Sequence, residues 1–223
     1  RPRSGSKTAE PSLAAGGMSS IGFDNYSKGP FMPLPAFLKP ELPPTAGLPL
    51  AFSDYARQPA LPFVQALERW PGLPQPILTC SGTAALVVAL KTLSRRAPER
   101  DTVIIPAYTC PLVPLAVSLV PGLRVALCDT LPGGFDLDSP HLDALCGSRT
   151  LAVLPTHLGG RVADAGAAVA VAARCGAYVI EDAAQALGAF AADGNSVGLA
   201  GDIGFFSLAA GKGLTTFEGG VLA

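Results

Sequence analysis

The strongest constraint on the fold is a regular alternation of short apolar runs with segments of helical periodicity, such as Thr83–Arg95 and Asp164–Cys175. The runs are PILTC (76–80), TVIIPA (102–107), RVALCDT (124–130), TLAVLPTH (150–157), AYVIEDAA (177–184), DIGFFSL (202–208) and GGVLA (219–223). Strands that alternate with helices usually form a parallel sheet between helical layers, so the pattern predicts a three-layer α/β/α fold with seven mostly parallel strands. No helical pattern separates the last two runs, and we expect that pair to be antiparallel.

The sequence before this region has a different character. Residues 1–17 contain few bulky apolar side chains, which predicts a disordered tail. Residues 18–75 form a Pro-rich N-terminal segment, and the frequent prolines exclude long helices there. One short helix is predicted near Leu61–Trp70, where apolar residues recur at helical spacing. The sequence therefore predicts a single large domain at 76–223.

Composition excludes several classes of partner. Hydrophobic residues make up 49% and charged residues 15% of the chain, which allows a large buried core. The net charge of −1 gives no reason to expect nucleic acid as a partner. No run of about 18 or more apolar residues occurs, so no membrane span is predicted. Five cysteines without C-x-x-C spacing, two histidines and no secretory signal predict free thiols, no metal site and a cytoplasmic protein.

Polar and small residues follow several of the predicted strands. They are Ser81-Gly82-Thr83, Tyr108-Thr109-Cys110, Thr156-His157, Asp182 and Ser207. In parallel sheets, ligands bind beyond the carboxyl ends of the strands. We therefore expect these residues to converge on one side of the sheet.

Two of these positions are suited to binding a phosphorylated ring. Gly82 and Thr83 lie between a strand and a helix, where free backbone N–H groups bind phosphate, although simple helix capping by Ser81 or Thr83 would give the same pattern. Asp182 ends a strand, and its carboxylate could pair with a protonated pyridine nitrogen. The alternative role of Asp182 is a helix N-cap. Its neighbour Glu181 should point the other way along the strand.

A lysine and a histidine are the remaining candidates. Lys212 is flanked by two glycines, follows a strand, and is the only lysine after Lys91. A lysine in such a place can form a Schiff base with a carbonyl compound, whereas most loop lysines are simply solvated. His157 could act as a base, but a structural, hydrogen-bonded histidine is the favoured interpretation. Asp164 is interpreted as the cap of the next helix.

Six segments match, in order, the motifs of a known family. They are SGTAAL (81–86), VIIPAYTC (103–110), PTHLGGRVAD (155–164), EDAAQALGA (181–189), GDIGFFSL (201–208) and K-x-L-T-T-x-E-G-G (212–220). With them, residues 76–223 resemble the DegT-type sugar aminotransferases, which are pyridoxal 5′-phosphate (PLP) enzymes of fold type I. Each segment is weak alone, whereas six in order with compatible spacing are highly specific.

The resemblance implies PLP as cofactor and a role for each matching position. Lys212 would hold the cofactor as a Schiff base and shuttle a proton, Asp182 would keep the pyridine nitrogen protonated, and Gln185 would hydrogen-bond the phenolic oxygen. The phosphate would be held by Gly82, Thr83, Ser207 and a backbone N–H of Ala84. The family commonly transfers an amino group from glutamate to a keto-sugar attached to a nucleotide, for cell-surface polysaccharide or secondary-metabolite biosynthesis, and its members form homodimers.

Two departures from the family pattern have consequences. Cys110 stands where the family usually places an aromatic residue against the pyridine ring, so either Tyr108 substitutes for it or the ring is gripped less well. The sequence also stops at Ala223, and we expect the family's smaller C-terminal domain to be absent. We therefore expect this chain to bind the cofactor with little or no amino transfer on its own.

Three alternatives remain open beside the aminotransferase. Dehydratases of the same family carry His in place of the Schiff-base lysine, and Lys212 argues against that activity. A truncated or non-catalytic protein could keep the fold and bind the cofactor without turnover. A doubly wound nucleotide-binding protein would have a G-x-G-x-x-G motif after the first strand, which this sequence lacks.

Overall fold

The structure, a computed structural model, describes residues 59–223. The predicted disordered tail at 1–17 and most of the Pro-rich segment lie outside the described residues. Helix α1 spans Phe63–Arg69, inside the range predicted for a short helix. No helix within the described part of the chain is long and apolar enough to cross a membrane.

Seven strands form one sheet within residues 59–223. They are β1 (Ile77–Thr79), β2 (Thr102–Pro106), β3 (Arg124–Cys128), β4 (Thr150–Val153), β5 (Tyr178–Asp182), β6 (Ile203–Ser207) and β7 (Gly220–Leu222). Their order across the sheet is β1-β7-β6-β5-β4-β2-β3. The pairs from β6 to β3 are parallel, and β7 is antiparallel to both β1 and β6. The predicted mixed sheet and the antiparallel last pair are confirmed.

Helices cover both faces of the sheet. They are α2 (Gly82–Arg96), α3 (Leu112–Ser118), α4 (Ser139–Leu145) and α5 (Ala165–Cys175). Their starts follow from local sequence: Ser81 caps α2, Asp138 caps α4 and Asp164 caps α5, each accepting a backbone N–H. The predicted role of Asp164 as a cap is thus observed.

Alternate residues of the central strands enter two separate cores. On β2, Val103 and Ile105 pack in the core beneath α2 and α3, whereas Ile104 packs in the core beneath α4 and α5. All three side chains are essentially buried. Burial of each stabilises the fold by about 1.5–3 kcal/mol. A strand buried on both faces reads as a continuous apolar run, which explains the TVIIPA pattern.

Candidate active site

A cavity of about 340 Å³ lies at the carboxyl edge of the sheet. Its volume falls in the range of about 300–1,000 Å³ that small-molecule sites occupy. The predicted residues among its lining are Gly82, Thr83, Cys110, Asp182, Gln185, Ser207 and Lys212. Residues from four strand ends and the start of α2 therefore meet in one place. Ala84 is the one predicted site residue outside this lining.

The start of α2 forms one wall of the cavity. Ser81 Oγ accepts the N–H of Ala84 at 3.0 Å, and the first intrahelical bond runs from Ala85 N to Ser81 O at 2.9 Å. The amides of Gly82 and Thr83 precede that bond, as the first amides of any helix do, and such groups bind anions. Capping of the helix by Ser81 is observed, and phosphate binding at Gly82 and Thr83 stays a prediction. The N–H of Ala84 is already bound to Ser81 Oγ, so this geometry does not support the phosphate contact predicted for Ala84.

Glycine at position 82 lets the helix start approach the end of β6. A Cβ atom added to Gly82 would lie 2.9 Å from Ser207 Cβ and 3.2 Å from Ser207 Cα. These distances are shorter than ordinary van der Waals contact, so a larger residue would push α2 away from the strand. The close approach brings the Ser207 hydroxyl and the first amides of α2 to the same cavity.

Asp182 is a buried carboxyl group at the end of β5. The side chain is only 4% exposed, and Oδ1 accepts the N–H of Ala184 at 3.1 Å. Burial raises the pKa of Asp182 to about 6, while the Ala184 hydrogen bond and the nearby His157 and Lys212 lower it. A cation placed against this carboxylate would favour its ionised form. The predicted N-cap role is not observed, because no helix starts after Asp182.

Glu181, the preceding residue, has hydrogen-bond partners on both of its carboxylate oxygens. Its carboxylate accepts the N–H groups of Gly198 (3.0 Å), Ala200 (2.5 Å) and Gly201 (2.7 Å) and contacts His157 Nε2 at 3.0 Å. Burial alone would raise the pKa of Glu181, but the hydrogen bonds from His157, Gly201 and Gly198 bring it below its usual value. Glu181 lines a different cavity from Asp182, as expected for strand neighbours.

His157 is a buried, fully bonded side chain. Its ring is 1% exposed, and Nδ1 accepts the N–H of Ala163 at 3.0 Å. An Nδ1 that accepts a hydrogen bond carries no proton, so the ring proton is on Nε2, which donates to Glu181. This arrangement agrees with the structural role favoured from the sequence. The sequence did not predict that His157 and Glu181 are hydrogen-bonded to each other.

Lys212 and Gln185 complete the polar lining. Lys212 is half-buried, and its backbone N–H closes a turn onto Ala209 O at 3.1 Å. Its ammonium group makes no ion pair within residues 59–223 and faces the same cavity as Asp182. Gln185 Oε1 accepts the N–H of Gly159 at 2.6 Å, which leaves its two amide N–H donors for other partners.

The position opposite the polar residues is occupied by Cys110. Its thiol is free and half-buried, and the residue lines the cavity beside Leu112 and Val113. Tyr108 lies outside this cavity, where its ring stacks on Phe135 with a centroid distance of 5.5 Å. Cys110 therefore lines the cavity and Tyr108 does not, and the contact that either makes with a bound ring stays a prediction.

Together these groups can hold a phosphorylated, protonated ring beside an amine. The helix start offers anion-binding amides, Asp182 offers a buried anion, and Lys212 offers a nucleophilic amine, all around one cavity. Thr156, which the sequence placed among the polar strand-end residues without assigning it a role, also lines the cavity. Its place at a strand end was visible in the sequence, but its neighbour on β5 was not.

Comparisons with known proteins agree with this chemistry. The profile of the DegT/DnrJ/EryC1/StrS aminotransferase family matches residues 59–223. The chain is 36% identical over 160 residues to GDP-perosamine synthase from Caulobacter vibrioides, covering 72% of the chain and 42% of that protein. It is 36% identical over 163 residues to L-glutamine:2-deoxy-scyllo-inosose aminotransferase from Streptomyces lividus, covering 72% and 37%.

A solved structure has the same fold. The aminotransferase from Psychrobacter cryohalolentis superposes with a TM-score of 0.66 at 30% identity, covering 72% of this chain and 40% of that one. The chain thus spans less than half the length of each of these three relatives.

Proposed function

The chain belongs to the DegT/DnrJ/EryC1/StrS aminotransferase family, and on that premise we propose that it is the cofactor-binding part of a PLP-dependent aminotransferase. The donor would be an amino acid, glutamate or glutamine, and the acceptor a keto-sugar or keto-cyclitol. The names of the two relatives support this range, since one is a synthase of a GDP-linked amino sugar and the other an aminotransferase for an inosose.

The observation that supports this function is the convergence of three unlike groups on one cavity. Gly82, Thr83 and Ser207 would hold the phosphate, and Gln185 would donate to the phenolic oxygen. PLP supplies an electron sink when its ring nitrogen is protonated. The buried Asp182 carboxylate would keep that nitrogen protonated, because opposite charges at short range favour each other's ionised forms. The pairing also offsets the unfavourable burial of Asp182.

Lys212 would provide the reactive amine. Its Nζ would attach to the cofactor in the resting protein and, once released, carry a proton at the reacting carbon. The neighbouring glycines and the small residue Ala209 leave space for the lysine side chain to move between these tasks. Leu86, Leu112 and Val113 form an apolar wall that would limit the access of water to this region.

We further propose a cytoplasmic homodimer for the full-length protein. The family resemblance supports this, and so do three apolar side chains on α3 and directly after it, Leu112, Leu115 and Leu119, each at least half exposed. Contiguous exposed apolar surface of this kind is typical of protein interfaces. Residues 76–223 would then be the PLP-binding large domain of each subunit.

Visible absorption of the purified chain mixed with PLP tests the function directly. We expect a band from a Schiff base that borohydride reduces to a stable adduct on Lys212, located by peptide mapping. Lys212→Ala should abolish the adduct yet retain weaker, phosphate-anchored cofactor. Lys91→Ala, in an exposed lysine on α2, is the matched control and should behave as wild type. A reducible adduct that survives in Lys212→Ala would refute the assignment.

A further inference from the structure

Thr156 has a buried hydroxyl without a hydrogen-bond partner. Within residues 59–223, two buried side-chain oxygens lack one, Thr109 Oγ1 and Thr156 Oγ1, and only Thr156 lines the candidate cavity. The Thr156 side chain is 7% exposed. Buried polar groups in folded proteins are almost always paired, because an unpaired one is destabilising. An unpaired hydroxyl at a ligand cavity therefore calls for a functional explanation.

Asp182 lines the same cavity and is paired with Thr156 in the sheet. Thr156, beyond the end of β4, forms a parallel β-bridge with Asp182, the last residue of β5. Backbone bonds fix this pairing: His157 N donates to Asp182 O and Asp182 N donates to Pro155 O, both at 2.9 Å. Paired residues of neighbouring strands place their side chains on the same face of a sheet. The Thr156 and Asp182 side chains therefore lie on the same face of the sheet, and both residues line the cavity.

The hydrogen-bonding capacities of the two side chains are complementary. The Asp182 carboxyl accepts one hydrogen bond within the described residues, from Ala184 N. An ionised carboxylate has about four acceptor sites. Thr156 thus holds a spare donor next to a carboxylate with spare acceptor sites. That donor is most useful when the carboxylate is ionised, because hydrogen bonds to a charged acceptor are the stronger ones.

We infer that Thr156 is a positioning residue of the cofactor site, whose hydroxyl donates to the Asp182 carboxylate when a protonated ring nitrogen is bound there. The inference rests on the proposed function. In the occupied site, Asp182 would accept from Ala184, from the ring N–H and from Thr156. Three donors around one carboxylate restrict its orientation and favour its charged form.

Binding of pyridoxamine 5′-phosphate tests the inference, because this amine form cannot make a Schiff base with Lys212 and reports ring and phosphate contacts alone. Thr156→Val keeps the shape and removes the hydroxyl, and we expect about fivefold to tenfold weaker binding in a fluorescence titration. Thr156→Ser restores the hydroxyl and should bind within about twofold of wild type. Affinity for inorganic phosphate should be the same in all three proteins.

Two further measurements separate positioning from a structural role. In the cofactor-free chain, the urea midpoint of Thr156→Val should equal or exceed that of wild type, because the lost hydroxyl had no partner. In an Asp182→Asn background, Thr156→Val should change pyridoxamine phosphate affinity by less than about twofold, as coupled residues do in a double-mutant cycle.

The outcomes that contradict the inference are distinct. Equal affinity of Thr156→Val and wild type, a clearly lower urea midpoint for Thr156→Val, or full additivity with Asp182→Asn would overturn the role of Thr156 and leave the proposed function standing. No binding of pyridoxamine phosphate by the wild-type chain would overturn both.

Discussion

Glu181 and Asp182 are neighbours on one strand, both nearly inaccessible to solvent, and their surroundings differ completely. Glu181 accepts three backbone N–H groups and contacts His157, and its pKa lies below the usual value despite burial. Asp182 accepts one N–H group, and burial raises its pKa to about 6. The fold therefore supplies Glu181 with four hydrogen-bond partners, whereas it supplies Asp182 with one.

A buried carboxylate with few hydrogen bonds destabilises a cofactor-free protein. Desolvation of the charge is unfavourable unless hydrogen bonds or an opposite charge offset it. Glu181 has this compensation from its own chain, in the loop at Gly198–Gly201. Asp182 lines a cavity instead, where a bound cation would supply this compensation. The hydrogen-bonded Glu181 carboxylate therefore stabilises the fold, whereas the Asp182 carboxylate is available to stabilise a bound ligand.

Glu181→Gln should have the largest effect on stability. The neutral side chain removes the charge that His157 and three amides solvate, and its NH₂ group cannot accept their hydrogen bonds. We expect the free energy of unfolding of the cofactor-free chain to fall by about 3–5 kcal/mol. Urea denaturation followed by circular dichroism measures this change. A loss below about 1 kcal/mol would mean that the network is not structural.

Gly204→Ala should disrupt the hydrogen bonds of Glu181 indirectly, through the loop at Gly198–Gly201. A Cβ at position 204 would collide with the carbonyl oxygen of Gly198, which lies in the loop that serves Glu181. We expect destabilisation by about 2–3 kcal/mol, because backbone atoms cannot move aside as a side chain can. Gly147→Ala is the matched control, since nothing lies within 4 Å of its added Cβ. Equal stability of the two variants would contradict the packing argument.

Asp182→Asn should act in the opposite direction to Glu181→Gln. The folded-state pKa of about 6 exceeds the ordinary 3.8, so the native state binds the proton more tightly than the unfolded chain. The resulting loss of stability is absent below about pH 4, develops between pH 4 and 6, and is complete above pH 6. Because Asn cannot ionise, the variant should gain about 2–3 kcal/mol at pH 8 over wild type.

The pH dependence is the control for this prediction. The advantage of Asp182→Asn should disappear at pH 4, where the wild-type carboxyl is protonated. Urea midpoints of both proteins at pH 4, 6 and 8 measure it. With saturating pyridoxamine phosphate, the order at pH 8 should reverse, because the amide cannot offset the charge of a protonated ring nitrogen. A gain that is equal at pH 4 and pH 8 would contradict the burial argument.

Asp101→Asn should have the smallest effect on stability, and it provides the surface reference for the buried carboxylates of Glu181 and Asp182. Asp101 pairs at the surface with Arg149 and with Arg124 at 3.2 Å, and the hydrogen bond from Arg149 lowers its pKa to about 2. The stabilisation from a lowered carboxyl pKa is present above about pH 4 and lost as pH falls through 2. Exposed ion pairs contribute little, so the urea midpoint at pH 7 should barely move. A shift as large as that of Glu181→Gln would remove the contrast between buried and exposed carboxylates.

The fold was largely predictable from the sequence. All seven apolar runs became strands, and the predicted helices at Thr83–Arg95 and Asp164–Cys175 ended within one residue of those found at Gly82–Arg96 and Ala165–Cys175. This succeeded because burial on both faces produces continuous apolar runs, and helix caps such as Ser81 are local signals. The meeting of Gly82, Asp182 and Lys212 was predictable too, since parallel strands present their carboxyl ends at one edge.

The sequence by itself determined the order of strands and helices, and the chemical identity of the groups at the edge of the sheet. Only the tertiary structure decided how those groups are partnered: His157 is bonded to Glu181, and Thr156 lies beside Asp182 in the sheet without a hydrogen bond from its hydroxyl. The physical reason is one of range. Strand and helix patterns repeat over a few residues, whereas the hydrogen bonds to the buried Glu181 carboxylate join residues 17 to 24 positions apart in the sequence.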